Sequence, residues 1–82
     1  MDWSKFEPTD FEYDFKKDEL FAHRITFSEA VECFYNDFVV RRNKAYKDRF
    51  QLIGETFGGR KLKIIFQLKR ENIVRIITGW DI

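Results

Sequence analysis

The hydrophobic period of this chain changes at Phe38, and no other feature restricts the fold as much. Before that point apolar residues recur at helical spacing. Phe27, Ala30, Val31 and Phe34 stand at i, i+3, i+4 and i+7, which places them on one face of a helix. After it they alternate with polar residues, which places them on one side of a pleated strand. A chain of 82 residues has room for one hydrophobic core, so both halves must share it. The pattern predicts an α+β domain: two N-terminal helices packed on one face of a four-stranded antiparallel sheet.

Residues 1–10 read as a tail, because Pro8 fixes its own φ and biases Glu7 away from helix. Residues 11–82 read as a single domain. Phe11-Glu12-Tyr13 alternates for long enough to make a brief strand or an extended lead-in. Asp14 is suited to cap a helix over 15–23, with Phe15, Leu20 and Phe21 as its apolar residues. Thr26 and Glu29 have the spacing of a capping box and open the second helix, which Asn36-Asp37 ends. Strands are expected at 38–42, 49–56, 61–69 and 72–79. Phe57-Gly58-Gly59-Arg60 makes a hairpin turn and Arg70-Glu71 a tight link. Short links between consecutive strands imply an antiparallel meander.

Alternation assigns side chains to faces. Phe50, Leu52, Leu62, Ile64, Phe66, Leu68, Val74 and Ile76 form the set that packs on the helices. The opposite face mixes Arg49, Gln51, Glu55, Lys61, Lys63, Gln67, Lys69 and Arg75 with Ile53, Ile65, Ile73 and Ile77. So many isoleucines on a wet face suggest cover, by the tail, by a partner or by RNA.

Net charge, only +1, conceals a division. Residues 1–37 carry ten acids against four bases, and residues 38–82 four acids against eleven bases. A basic second half points to an anionic partner, nucleic acid or an acidic protein segment; the bland alternative is a sheet whose edges are guarded by Lys and Arg. The lone Cys33 has no partner for a disulfide and lies among Ala30, Val31 and Phe34, where a buried thiol is expected. No apolar run approaches the ~20 residues needed to cross a bilayer, and the start lacks a signal-peptide core, so a cytoplasmic location is expected.

Several chemistries lack their residues. There is no Gly-rich phosphate loop, no Ser-His-Asp context and no zinc-ligand cluster. What remains is basic side chains. Arg75 lies mid-strand, where it serves either in an ion pair with Glu55 or another sheet carboxylate, or as a phosphate-binding guanidinium. His23, the only histidine, ends the first helix; it is placed either to interact as a cation with the helix terminus or to take part in catalysis or nucleic-acid contact. Metal-independent RNA cleavage suits such a set, since the 2′-OH attacks the adjacent phosphate and the protein positions and stabilises charge.

Four segments carry a further resemblance. Phe11-Glu12-Tyr13-Asp14 with Lys17 is similar to an F-E-W-D-x-x-K signature. His23, Phe27-Ser28-Glu29-Ala30, Phe34 and Asp37 are similar to K-H-G-V-x-F-x-x-A…F-x-D. Arg49-Phe50-Gln51-Leu52-Ile53-Gly54 is similar to R-F-x-x-I-G, and Arg75-Ile76-Ile77-Thr78 to I-R-I-I-S. In this order, over residues 11–78, they resemble the BrnT family of type II toxin–antitoxin toxins. Ala22-His23-Arg24 departs from the family's Lys-His-Gly, and Thr78-Gly79-Trp80-Asp81-Ile82 stands where the family continues S-A-R-K-A-T.

The resemblance implies a RelE-like fold and a ribonuclease that arrests translation. It also implies neutralisation by a cognate antitoxin, commonly DNA-binding, in a homo- or hetero-oligomeric assembly. On that reading Arg49, Arg75, His23 and Lys69 act at the phosphate, Lys61, Lys63 and Trp80 bind RNA, and no cofactor, metal or membrane is involved. The alternative is a non-catalytic interaction module, a degenerate toxin that binds a partner through its open sheet face.

Overall fold

The computed structural model describes residues 3–70 and 72–82; Met1 and Asp2 of the expected tail and Glu71 of the expected link lie outside the described residues. Five strands form one sheet: β1 (Asp10–Tyr13), β2 (Phe38–Arg42), β3 (Phe50–Glu55), β4 (Lys61–Leu68) and β5 (Ile73–Asp81), in the order β1-β5-β4-β3-β2. The meander from β2 to β5 is antiparallel as expected. The sheet is nevertheless mixed and has five strands rather than four. β1 pairs in parallel with β5, from Asp10↔Ile73 to Tyr13↔Ile76. The alternation at Phe11-Glu12-Tyr13 allows for a brief strand there, but a parallel partner from the far end of the chain leaves no local signal.

The helical layer is smaller than its periodicity suggests. In place of a helix over 15–23 there is α1 (Glu19–Ala22), capped by Asp18. Asp14 instead accepts the N–H groups of Lys16 and Lys17 in a local turn, which uses up its capping oxygen. α2 (Phe27–Glu32) begins on the expected capping box: Thr26 accepts from the Glu29 N–H at 3.1 Å, and Glu29 accepts from the Thr26 N–H at 3.0 Å.

Leu20, Ile25, Ala30, Cys33 and Phe34 pack from this layer onto Leu52, Leu62, Ile64, Phe66, Val74 and Ile76 of the sheet. Every residue of the set assigned to the helices is in that core or against it. Residues 3–10 do not trail away from it. Trp3–Lys5 forms a 3-10 turn, Phe6 is buried, and Trp3 sets its ring edge-on to Phe6, Phe50 and Phe66 at 5.0, 5.2 and 5.8 Å. The Trp3 and Phe6 rings thus cover the core beside β3 and β4, work that a proline-punctuated polar segment does not advertise.

Arg60, in the β3–β4 turn, joins the two layers. Its Nε and Nη2 donate to Asp81 at 2.7 and 2.8 Å, and its Nη1 donates to the Arg24 carbonyl at 2.7 Å and to Glu29 at 3.3 Å. The Thr26 N–H and this guanidinium hold the Glu29 carboxyl below its usual range, and Arg60 does the same for Asp81. One side chain thereby ties the hairpin, the end of β5 and the α1–α2 link together.

Candidate functional site

The helices cover one face of the sheet, and the other carries the basic strand positions. Which residues reach it depends on β5. Phe66 lies opposite Ile76 but Ile65 lies opposite Thr78, so Ile77 is an extra residue, a β-bulge. Before the bulge Arg75 is on the open face. After it the phase inverts: Gly79 turns toward the helices opposite Ile64, while Thr78 and Trp80 join Arg75 outside. Uninterrupted alternation would have put Trp80 inside.

Transverse rows follow from the register. Glu12, Arg75 and Gln67 stand side by side across β1, β5 and β4. The next row holds Thr78, Ile65 and Gln51, and the one after it Trp80, Lys63, Ile53 and Val39. Ile65 lies on this face and yet is only 4% exposed, outside the main core. The expected cover for the isoleucines is thus supplied at Ile65 by its neighbours within the chain.

Arg75 and Arg49, far apart in sequence, line one shallow cleft of about 230 Å³ with Gln67, Asp14, Lys17 and Glu19. The 43–49 loop delivers Arg49. It closes through the Asn43 N–H donating to the Arg49 carbonyl and the Arg49 N–H donating to the Tyr46 carbonyl. The Arg49 guanidinium lies 4.1 Å from the Tyr46 ring centroid, a cation–π contact. Its Nε is buried with no hydrogen-bond partner among the described residues. Gln67 is steadied by its amide nitrogen donating to Asp48 at 2.6 Å. Arg75 lies 3.6 Å from Glu12, both half-exposed, so of the two uses read for Arg75 the ion pair is present, with Glu12 and not Glu55. Two guanidiniums and an amide around one opening form an anion-binding arrangement, and the flanking carboxylates Glu12, Asp14 and Glu19 are proton acceptors within the same neighbourhood. No group of three His, Cys, Asp or Glu side chains is placed to hold a metal among the described residues.

No protein-family model matches the chain, and no curated protein sequence does. A solved structure does match. The ribonuclease toxin BrnT of Brucella abortus superposes with a TM-score of 0.72 over 89% of this chain and 95% of that one, at 22% identity. This chain has the BrnT fold. At that identity the likeness is one of strand order and layer, and the side chains of the open face must be read in this molecule itself.

In this instance of the BrnT fold the residues singled out from sequence fall into separate places. Arg49 and Arg75 share the cleft. His23 does not reach it; its ring lies 6.2 Å from that of Trp80, and Lys63 Nζ lies 5.9 Å from the same indole. Lys61 is exposed at the far end of β4, where it lines a different cleft with Asp37 and Glu55. Lys69 is exposed past the other end of β4, its backbone N–H donating to the Ile73 carbonyl at 2.8 Å. Asp14, Lys17, Glu19 and Gln67 line the cleft with no sequence signal for a site role of their own. Gln67 was already on the open face by alternation, whereas nothing local to Lys17 or Glu19 places them beside the sheet. No helix is long and apolar enough to cross a membrane among the described residues.

Proposed function

We propose that this chain is a toxin of the BrnT family, an endoribonuclease that arrests translation without a metal and is neutralised by a cognate antitoxin. The observation that carries the reading is the meeting of Arg49 and Arg75 in one cleft on a BrnT fold. In the reaction the RNA supplies its own nucleophile, the 2′-OH. Arg49 and Arg75 grip the adjacent phosphate and offset the charge that grows on it. A cleft carboxylate takes the 2′-OH proton as the 2′-oxygen bonds to phosphorus; the P–O5′ bond breaks, leaving a 2′,3′-cyclic phosphate, and the departing 5′-oxygen takes its proton from solvent. Glu19 and Asp14 stand in the cleft wall for this role, while Glu12 holds Arg75 until phosphate displaces it. His23 and Lys69 lie outside the cleft in this structure and act, on this reading, on flanking RNA.

Induction of the full chain in bacteria tests the proposal. Growth arrest is expected, with Arg75→Ala and Arg49→Ala each relieving it and each lowering RNA cleavage about 100-fold or more in chelator-treated buffer. Unimpaired growth with folded, well-expressed protein would sink the enzyme. It would favour the non-catalytic interaction module, for which the Arg75–Glu12 pair already in place is the supporting observation.

A further inference from the structure

We propose that Trp80, flanked by Lys63 and His23, is a base-stacking station that confines the substrate to single-stranded RNA. This rests on the ribonuclease reading above and names the substrate class for the same site.

Core packing does not account for the position of the indole. It is half-buried on the open face and belongs neither to the core nor to the side chains packed against it. The bulge at Ile77 puts it there, because unbroken alternation would turn it toward the helices. Bulges re-aim side chains next to functional sites, and this one sets Trp80 on the face that carries Arg75. Lys63 occupies the same rung on β4, its ammonium 5.9 Å from the ring centroid. His23 forms a second aromatic wall at 6.2 Å, tilted by 49°. An aromatic face beside a cation is the combination that takes a base and its phosphate together.

The setting matches that ligand. β1 stops at Tyr13 opposite Ile76, so β5 beyond Ile76 has a strand on one side only and the approach to Trp80 is not closed by the sheet. Between the two stations lie Thr78 and Ile65, a floor without charge to repel a sugar-phosphate chain. Four rungs of β5 separate Arg75 from Trp80, roughly 13 Å at ~3.3 Å per residue, on the order of two nucleotides of extended strand. A base can offer its face to Trp80 only when it is unstacked from its neighbours, which a duplex prevents. Stacking reads no hydrogen-bond pattern, so any of the four bases serves at this position.

Equilibrium binding of the full chain to labelled 2′-O-methyl RNA, which cannot be cleaved, tests this. Three ligands are compared: a single strand of about ten nucleotides, its duplex, and a trimer too short to span both stations. Wild type should prefer the single strand to the duplex by about ten-fold or more, and Trp80→Ala should reduce the ratio of single-strand to trimer affinity about ten-fold. Trp80→Phe should keep most of it, while Arg75→Ala weakens single strand and trimer alike. In a Trp3→Phe background, which leaves Trp80 as the sole indole, the single strand should quench fluorescence and the trimer should not. That readout serves also if Trp80→Ala fails to fold. An unchanged affinity ratio in folded Trp80→Ala, absent quenching, or equal duplex binding overturns the station while Arg75-dependent RNA binding leaves the ribonuclease reading standing. Wild type that binds no RNA overturns both, and shielding of Trp80 by a protein instead would make the face a protein interface.

Discussion

Tyr13 shows how far a single hydroxyl reaches in this molecule. It donates to Asp18 Oδ1 at 2.7 Å and accepts the Leu20 N–H at 2.9 Å, which binds the end of β1 to the start of α1. Burial, and then the bond to Asp18, push the phenol up to about 12. The sign follows directly. A folded value above the ordinary one near 10 means that the hydroxyl's stabilisation is complete below pH ~10 and is lost as pH climbs toward ~12. Tyr13→Phe should therefore cost about 1 kcal/mol at neutral pH, and the gap between variant and wild type should close above pH ~10. Urea melts at pH ~7 and pH ~11 check both halves; equal stability at neutral pH would mean that the hydroxyl contributes nothing. The sequence marks Tyr13 as an aromatic at a strand position, but its partner Asp18 adopts a left-handed conformation with φ 43° that no spacing rule anticipates. Arg49 and Arg75 divide in the same way, each legible as a strand-borne cation, neither legible as the other's neighbour.

At the scale of elements, the two helices have four and six residues, far fewer than the ~12 at which a helix begins to hold by itself in water. Tertiary packing maintains them, and β5 must leave space for it. A Cβ at Gly79 would sit 2.7 Å from Ile64 Cδ1, 2.9 Å from the Lys63 carbonyl oxygen and 3.4 Å from Leu20 Cδ2. Gly79→Ala should therefore destabilise by ~1–3 kcal/mol, because the close contacts include backbone that cannot yield. Gly58→Ala, where a Cβ would meet only Thr56 Oγ1 at 3.8 Å, is the control and should stay within ~0.5 kcal/mol. Thermal unfolding of the pair decides it, and equal melting temperatures would show that β5 can shift to admit the methyl. The capping box was readable because its two partners sit three residues apart. The bulge was not, since it arises where β4 and β5 fit together and neither strand alone records it.

Across the whole molecule, the division of charge becomes an arrangement in space. Arg49, Arg75 and Lys63 lie on or beside the face that the helices leave open, and the acid-rich N-terminal half supplies the helical layer behind it. If those three cations each neutralise a phosphate, the logarithm of RNA affinity should fall with the logarithm of salt at a slope near −2, about −0.7 per contact on a single strand. Arg75→Ala should make that slope shallower by about 0.7. Binding indifferent to salt would remove RNA as the ligand of this face.

Phe38, where the period changes, marks the limit between what can be read along the chain and what cannot. The helical and strand periods, the capping box, the Phe57–Arg60 turn and the core set from Phe50 to Ile76 depend on residues a few positions apart, so the linear order of side chains contains them. The parallel pairing of β1 with β5, the packing of Trp3 and Phe6 over the core, the Arg60 clamp and the meeting of Arg49 with Arg75 join residues from distant parts of the chain. Those contacts exist only once the sheet has closed, because register and burial, rather than local preference, select them.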